Sequence, residues 1–146
     1  MEEVIVKEIQ TGTPEYQQLL QFRNKLLRRP LGLDLFAEDL SDDEEDIILA
    51  AVDNQEIVGC VMLHPIDEHA VKLRQMAVAE ALQGKGLGRI LVTEAEEAAT
   101  EQGYQRIVLH ARITAREFYQ KAGYKAIGDI FTEVTIPHIA MEKTLG

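Results

Sequence analysis

Gln83-Gly84-Lys85-Gly86-Leu87-Gly88 joins a strand-like run, Val71 to Val78, to a helical run, Leu87 to Gln102. Glycine at every second position lets the backbone approach a ligand closely and take conformations closed to residues with a Cβ. The helix that starts there presents unpaired N–H groups and the positive end of its dipole, so the segment reads as an anion cradle. Two nucleotide motifs fail on spacing. A P-loop needs Ser or Thr directly after Gly-Lys to hold magnesium, and here Gly86 follows Lys85; a dinucleotide fingerprint begun at Gly84 and Gly86 needs its third glycine where Arg89 stands. A tight turn without a ligand is the competing reading of the same letters.

On the N-terminal side, Val71 and Leu73 place apolar side chains at odd positions, whereas Met76 and Val78 place them at even ones. Strict alternation would turn the core face outward, so an extra residue near Arg74-Gln75, a β-bulge, is predicted. On the C-terminal side, Leu87, Ile90, Leu91, Ala95 and Ala98 form the apolar stripe of a helix that Gly103 caps. Ile107 to Leu109 predicts a short strand covered on both faces. Thr114-Ala115-Arg116-Glu117 has the form of a capping box, with Ile113 and Phe118 as its hydrophobic staple, which starts a helix at Thr114 that Gly123 ends. Tyr124 to Ile127 and Ile139 to Lys143 predict closing strands.

Nearer the N-terminus, Val4 to Ile9 predicts a first strand closed by Gly12 and Pro14. Tyr16, Leu19, Leu20, Arg23 and Leu27 follow with helical spacing as far as Arg29-Pro30. Leu31 to Leu40 is ambiguous, a short second helix being one reading. Ile47 to Val52 and Ile57 to Leu63, bridged by Asp53-Asn54-Gln55-Glu56, predict a hairpin. The order strand, one or two helices, three strands, helix, strand, helix, two strands defines a mixed α/β domain with helices packed on a twisted sheet.

A chain of 146 residues, 46% of them hydrophobic, suffices for one well-cored domain and is short for two, so residues 1–146 are read as a single domain. No stretch approaches the ~20 apolar residues of a membrane span, and Met1-Glu2-Glu3-Val4 lacks the regions of a signal peptide. A cytoplasmic protein without membrane partners is expected. Cys60, the single cysteine, allows no intrachain disulfide or cysteine-built metal site and sits in an apolar strand pattern as a core residue. A net charge of −10 with scattered Lys and Arg argues against a nucleic-acid partner. The acidic run from Glu38 to Asp46 reads as a solvated loop or helix end, with attraction of a cationic amine as the alternative. Arg23, Arg28 and Arg29 read as solvent-facing charges at a helix end, with capture of an anionic group on a substrate as the alternative.

The order Gln83-x-x-Gly86-x-Gly88, preceded by Leu73-Arg74-Gln75-Met76-Ala77-Val78 and followed by Glu117-Phe118-Tyr119-Gln120-Lys121-Ala122-Gly123-Tyr124, resembles the GNAT superfamily of N-acetyltransferases. These motifs cover about the second half of the chain; the first half shares only the order of elements. The resemblance implies a GNAT-type fold, a twisted mixed sheet of about six to seven strands flanked by helices. It also implies a splayed cleft between the strand ending at Val78 and the strand ending at His110. Acetyl-CoA becomes the expected co-substrate, with no metal. Gln83, Gly84, Lys85, Gly86, Leu87, Gly88 and Arg89 would grip its pyrophosphate, and the backbone of Met76, Ala77 and Val78 would meet the pantetheine arm and thioester. Small proteins of this family often pair, so a homodimer is open.

Acetyl transfer to an amine needs a proton acceptor, donors for the developing oxyanion and a proton for the departing thiolate. The freed amide of Met76 or Val78 is the candidate oxyanion donor. Tyr119 matches the family's tyrosine acid: an unperturbed phenol titrates near ~10 and a thiol near ~8.5, so Tyr119 holds its proton at neutrality and can pass it to sulfur. Periodicity alone makes Tyr119 core, because Ala115, Phe118, Tyr119 and Ala122 share one helical face. His110, Glu133 and His138 are the candidate bases, beside water-mediated proton removal. Ile136-Pro137-His138 with Met141 resembles a closing segment of some small family members, and His110-Ala111-Arg112 stands where many members carry Asn. The leading reading is an N-acetyltransferase acting on a primary amine of a small molecule or peptide by direct attack in a ternary complex. A phosphometabolite enzyme without coenzyme A and a non-catalytic acyl-CoA sensor are the alternatives.

Overall fold

Period-two and period-3.6 hydrophobicity resolve into strands and helices that share two cores, one on each face of a single sheet. A computed structural model describes residues 3–146; Met1 and Glu2, read above for export signals, lie outside them. In chain order the elements are β1 (Ile5–Glu8), α1 (Pro14–Leu27), β2 (Ile47–Asp53), β3 (Glu56–Pro65), β4 (Ala70–Val78), α2 (Leu87–Glu101), β5 (Arg106–Arg112), α3 (Arg116–Lys121), β6 (Lys125–Ala126), β7 (Phe131–Glu133) and β8 (Ile136–Thr144). Among the described residues the sheet has eight strands in the order β1-β2-β3-β4-β5-β8-β6, with β7 also on β8. That exceeds the expected six to seven because of β7, three residues long and too short to show a period, while the strand predicted over Tyr124 to Ile127 is present as the two-residue β6. Every pair is antiparallel except β4 with β5, which α2 connects as a crossover.

The unbroken apolar run of β2 follows from burial on both sides. Leu49 and Ala51 join Leu91 and Ala95 of α2, while Ile48 and Ala50 join Leu19 and Leu20 of α1. Each fully buried leucine among them contributes about 1.5–3 kcal/mol. α2 lies close on the sheet: a Cβ added at Gly59 of β3 would stand 3.0 Å from Leu91 Cδ1. The β2–β3 hairpin turns at Asn54 and Gln55, both at positive φ, as the primed hairpin turns require. No helix among the described residues is long and apolar enough to cross a membrane.

The predicted bulge is present. Cys60 pairs with Ala77 and Met62 with Arg74, so Val61 of β3 stands opposite two residues of β4, and one of them, Gln75, has φ +57°.

Two local expectations give way to tertiary context. β5 is longer than Ile107–Leu109 and alternates: Ile107, Leu109 and Ala111 are buried, whereas Val108, His110 and Arg112 are only half-buried, on the face where α1 packs chiefly on β3 and β4. The capping box also fails to form. The chain enters α3 through a 3₁₀ turn, Ile113–Ala115, which leaves Ala115 at the N-cap with no side-chain cap. Thr114 then lies inside that turn, without the position an N-cap hydroxyl needs, and Phe118 stays exposed.

Candidate active site

β4 and β5 pair only from Ala70↔Arg106 to Leu73↔Leu109. At Arg74 the bulge redirects β4, while β5 stays in register with β8 as far as Arg112↔His138. The strands diverge, and between them opens a cleft of about 530 Å³. Met76, Ala77, Val78 and Gln83 line its near wall; Ala111, Arg112, Tyr119, Glu133 and His138 line its far wall. Beyond Leu73 no described strand pairs the outer edge of β4, so main-chain groups pointing that way face the cleft.

Of the cradle residues, only Gln83 joins the cavity lining. Its Nε2 donates to the Val78 carbonyl at 3.0 Å, which ties the loop to the end of β4. Gly84 to Gly86 and Arg89 continue from it along the exposed surface. Gly84 at φ +77° and Gly86 at φ +89° occupy the left-handed region that disfavours a Cβ, and each faces open space. Gly86 is the N-cap of α2 and brings no side-chain cap; among the described residues no carbonyl accepts the N–H of Leu87, Gly88 or Arg89. Free amides at a helix start of this kind suit an anion. Gly88 and Leu87 have a packing role as well. A Cβ at Gly88 would stand 3.2 Å from Phe118 Cζ, so this glycine is small to let α3 pack, and the Leu87 side chain is fully buried in the core, leaving only its amide for a ligand.

Tyr119 is core and cleft together. It is 6% exposed and packs edge-on to Phe118 and Tyr124 at 5.0 and 5.8 Å between ring centroids. Its hydroxyl has no hydrogen-bond partner among the described residues and is not sealed from the cleft it lines. Burial raises the phenol pKa far above its ordinary value, so the group is a proton donor throughout the neutral range.

The far wall gathers the three base candidates. His110 Nδ1 lies 2.9 Å from Glu133 Oε1, His138 Nε2 lies 3.8 Å from Glu133 Oε2, and the Phe131 ring stands beside both imidazoles. His138 Nδ1 lies 2.8 Å from the Ile136 carbonyl, which can only accept, so the proton sits on Nδ1 and Nε2 is the basic nitrogen. Desolvation raises the Glu133 pKa, but the hydrogen bond from His110 and the charges of Lys72, His110 and His138 outweigh it and hold the carboxyl below its ordinary value. Glu133 is carried on the β7–β8 hairpin, whose turn residues Val134 and Thr135 are both at positive φ, a strained choice for β-branched side chains. The cleft lining carries Arg28, Lys72, Arg74 and Arg112, with Glu133 as the only carboxylate among the described lining residues, although Arg28 is paired with Glu38 and Arg74 with Asp43 and Asp46 outside that lining.

Glu38, Asp39, Asp42, Glu44 and Glu45 of the acidic run are exposed as expected, whereas Asp43, Asp46 and Arg23 depart from their solvent-facing readings. Asp43 and Arg23 are 2% and 1% exposed and meet at 2.8 Å. Asp43 also accepts from Tyr16 Oη at 2.5 Å and Arg74 Nη2 at 2.6 Å; Asp46, buried as well, accepts from Arg74 Nε at 2.8 Å and pairs with His64 at 2.6 Å. Desolvation opposes the charge on Asp43, yet the bonds from Tyr16 and Arg23 and the guanidinium charges prevail and lower its pKa. Arg28 pairs with Glu38 at 2.6 Å, and Arg29 alone of the three arginines is freely exposed. The one sequence signal for this network is that Arg23 occupies a position in the apolar stripe of α1. Cys60 is core as expected, and burial pushes its thiol up to about 12.

Residues 11–145 match the family model described as the acetyltransferase (GNAT) domain. YyaT of Bacillus subtilis (strain 168) is 36% identical over 77 residues, 53% of this chain and 52% of YyaT, so the chain spans about half the length of the curated relatives it matches. Among solved structures, Escherichia coli ElaA superposes with a TM-score of 0.84 at 21% identity, covering 96% of this chain and 99% of that one. An aminoglycoside 6'-N-acetyltransferase complexed with coenzyme A superposes at 0.80 and 24% identity, covering 97% of each chain. The family match over nearly the whole chain, on a sheet splayed at a bulged strand beside a glycine-rich helix start, establishes that this protein belongs to the GNAT acetyltransferase family.

Proposed function

We propose that the chain is an acetyl-CoA-dependent N-acetyltransferase that acts on a primary amine of a small molecule or peptide. The observation that carries this reading is the splay of β4 from β5, set between the unpaired helix start at Gly86–Arg89 and the unpartnered hydroxyl of Tyr119. In this reading the amides of Gly84 to Arg89, with the charges of Lys85 and Arg89, hold the pyrophosphate at the surface, where a polyanion keeps part of its hydration. The main chain of Met76, Ala77 and Val78 aligns the pantetheine arm, and the amide of Met76 or Val78 donates to the oxyanion as the amine nitrogen bonds to the thioester carbon. The carbon–sulfur bond then breaks, and the Tyr119 hydroxyl gives its proton to the departing sulfur. His138 Nε2, directly or through water, takes the proton that the amine loses. Glu133, held ionised, is too weak a base for an ammonium and serves as the counter-charge that seats the amine. The single buried thiol, Cys60, fits a reducing, cytoplasmic setting.

Isothermal titration with acetyl-CoA and with CoA, followed by acetyl-CoA consumption over a panel of amines, tests the reading. Binding with turnover is expected. Absence of heat with both ligands removes the proposal, and heat without turnover on any amine replaces the enzyme with an acyl-CoA-binding module.

A further inference from the structure

Burying Arg23 with Asp43, Arg74 and Asp46 is a poor way to add stability, because desolvation offsets much of the Coulomb gain. The placement of the network is specific. It closes on two consecutive residues of β4, Arg74 and Gln75, and Gln75 is the bulge residue at φ +57°. Arg23 Nε donates to Gln75 Oε1 at 3.2 Å, and Cys60 Sγ donates to the Gln75 carbonyl at 3.1 Å, so both polar ends of that residue are held. Asp43 bridges the two arginines, taking Arg23 Nη1 on one oxygen at 2.8 Å and Arg74 Nη2 on the other at 2.6 Å. A residue with a Cβ is disfavoured at positive φ. If Gln75 left that region, the extra residue would be absorbed into the ladder and every later side chain of β4 would exchange faces.

We propose that Arg23 and Asp43 are positioning residues that lock Gln75 in the left-handed conformation and so hold the Met76–Val78 edge of β4 toward the cleft, where, on the function proposed above, it receives an acyl-CoA. Arg23 and Asp43 thereby set the geometry of a wall that neither of them lines.

Hydrogen exchange and calorimetry on the whole chain test this with Asp43→Asn, and with Arg23→Lys should that variant fail to fold. Exchange of the Arg74–Val78 amides is expected to accelerate about tenfold while β5 stays unchanged, and the acetyl-CoA Kd to rise about tenfold. Adding Gln75→Gly, which takes positive φ without strain, should restore most of the lost affinity. Unchanged exchange, acceleration spread evenly over the sheet, or failure of the glycine rescue in a variant that has lost affinity would overturn the proposal. Wild-type protein that gives no heat with acetyl-CoA sinks the function and not the clamp, since exchange reads the clamp without ligand.

Discussion

The two walls of the cleft are built on opposite plans. The near wall, β4 with the glycine-rich entry to α2, works through main chain: a bulge, positive φ at Gly84 and Gly86, and amides without intrahelical partners. The far wall works through side chains, Tyr119 from α3, His110 from β5, and Glu133 and His138 from the β7–β8 hairpin. Main-chain donors suit a ligand that every turnover shares, because they carry fixed dipoles and do not titrate. Side chains suit proton traffic and the choice of acceptor. The contrast teaches that damage to one wall should read out as affinity for acyl-CoA and damage to the other as turnover.

Tyr119→Phe offers the largest separation. It should lower kcat by about 10²–10⁴-fold while acetyl-CoA affinity by calorimetry stays within about twofold, since the ring still packs and only the proton is lost. Unchanged turnover would make Tyr119 a core residue and nothing more. Gly86→Val should act in reverse. A β-branched residue at φ +89° distorts the helix start, so the acetyl-CoA Kd should rise by about 10–100-fold, with thermal unfolding showing a loss of about 1–3 kcal/mol. Equal losses of affinity in both variants would erase the division between the walls.

The smallest effect concerns acid. The folded-state pKa of Asp43 is lowered, so the folded form binds its proton less readily than the unfolded chain does. Its stabilisation is full above the unfolded carboxylate range, near ~4, and is lost as pH falls through the folded value. Urea midpoints should therefore fall on acidification below pH ~4 in wild type, and Asp43→Asn should flatten that acid limb while lying lower at neutrality. An unaltered slope would remove Asp43 from the acid response.

Legibility in the sequence divides along the same line as the walls. The parity switch between Leu73 and Met76 located the bulge, and glycine spacing located the helix start, because each is a local consequence of backbone geometry. The capping-box letters at Thr114 misled, since a 3₁₀ entry preempted the N-cap. Continuous apolarity around Ile107 misled too, because one face of β5 is only half-covered and Val108 stands on it. Arg23, Asp43 and Asp46 were misread because their partners lie far along the chain, and charge letters carry no period that reports a distant counter-ion.

What the amino-acid order determined by itself is the local part: element order apart from β7, the bulge at Gln75, the open glycine turn and the continuously buried β2, all set by steric limits and hydrophobic period over a few residues. Only the tertiary structure decided that His110, Glu133 and His138 meet on one wall, that a chain of net charge −10 lines its cleft with arginine and lysine, and that Asp43 of the acidic run is buried against Arg74 of β4. Those outcomes depend on which strands become neighbours, and long-range pairing places charge where no stretch of sequence can announce it.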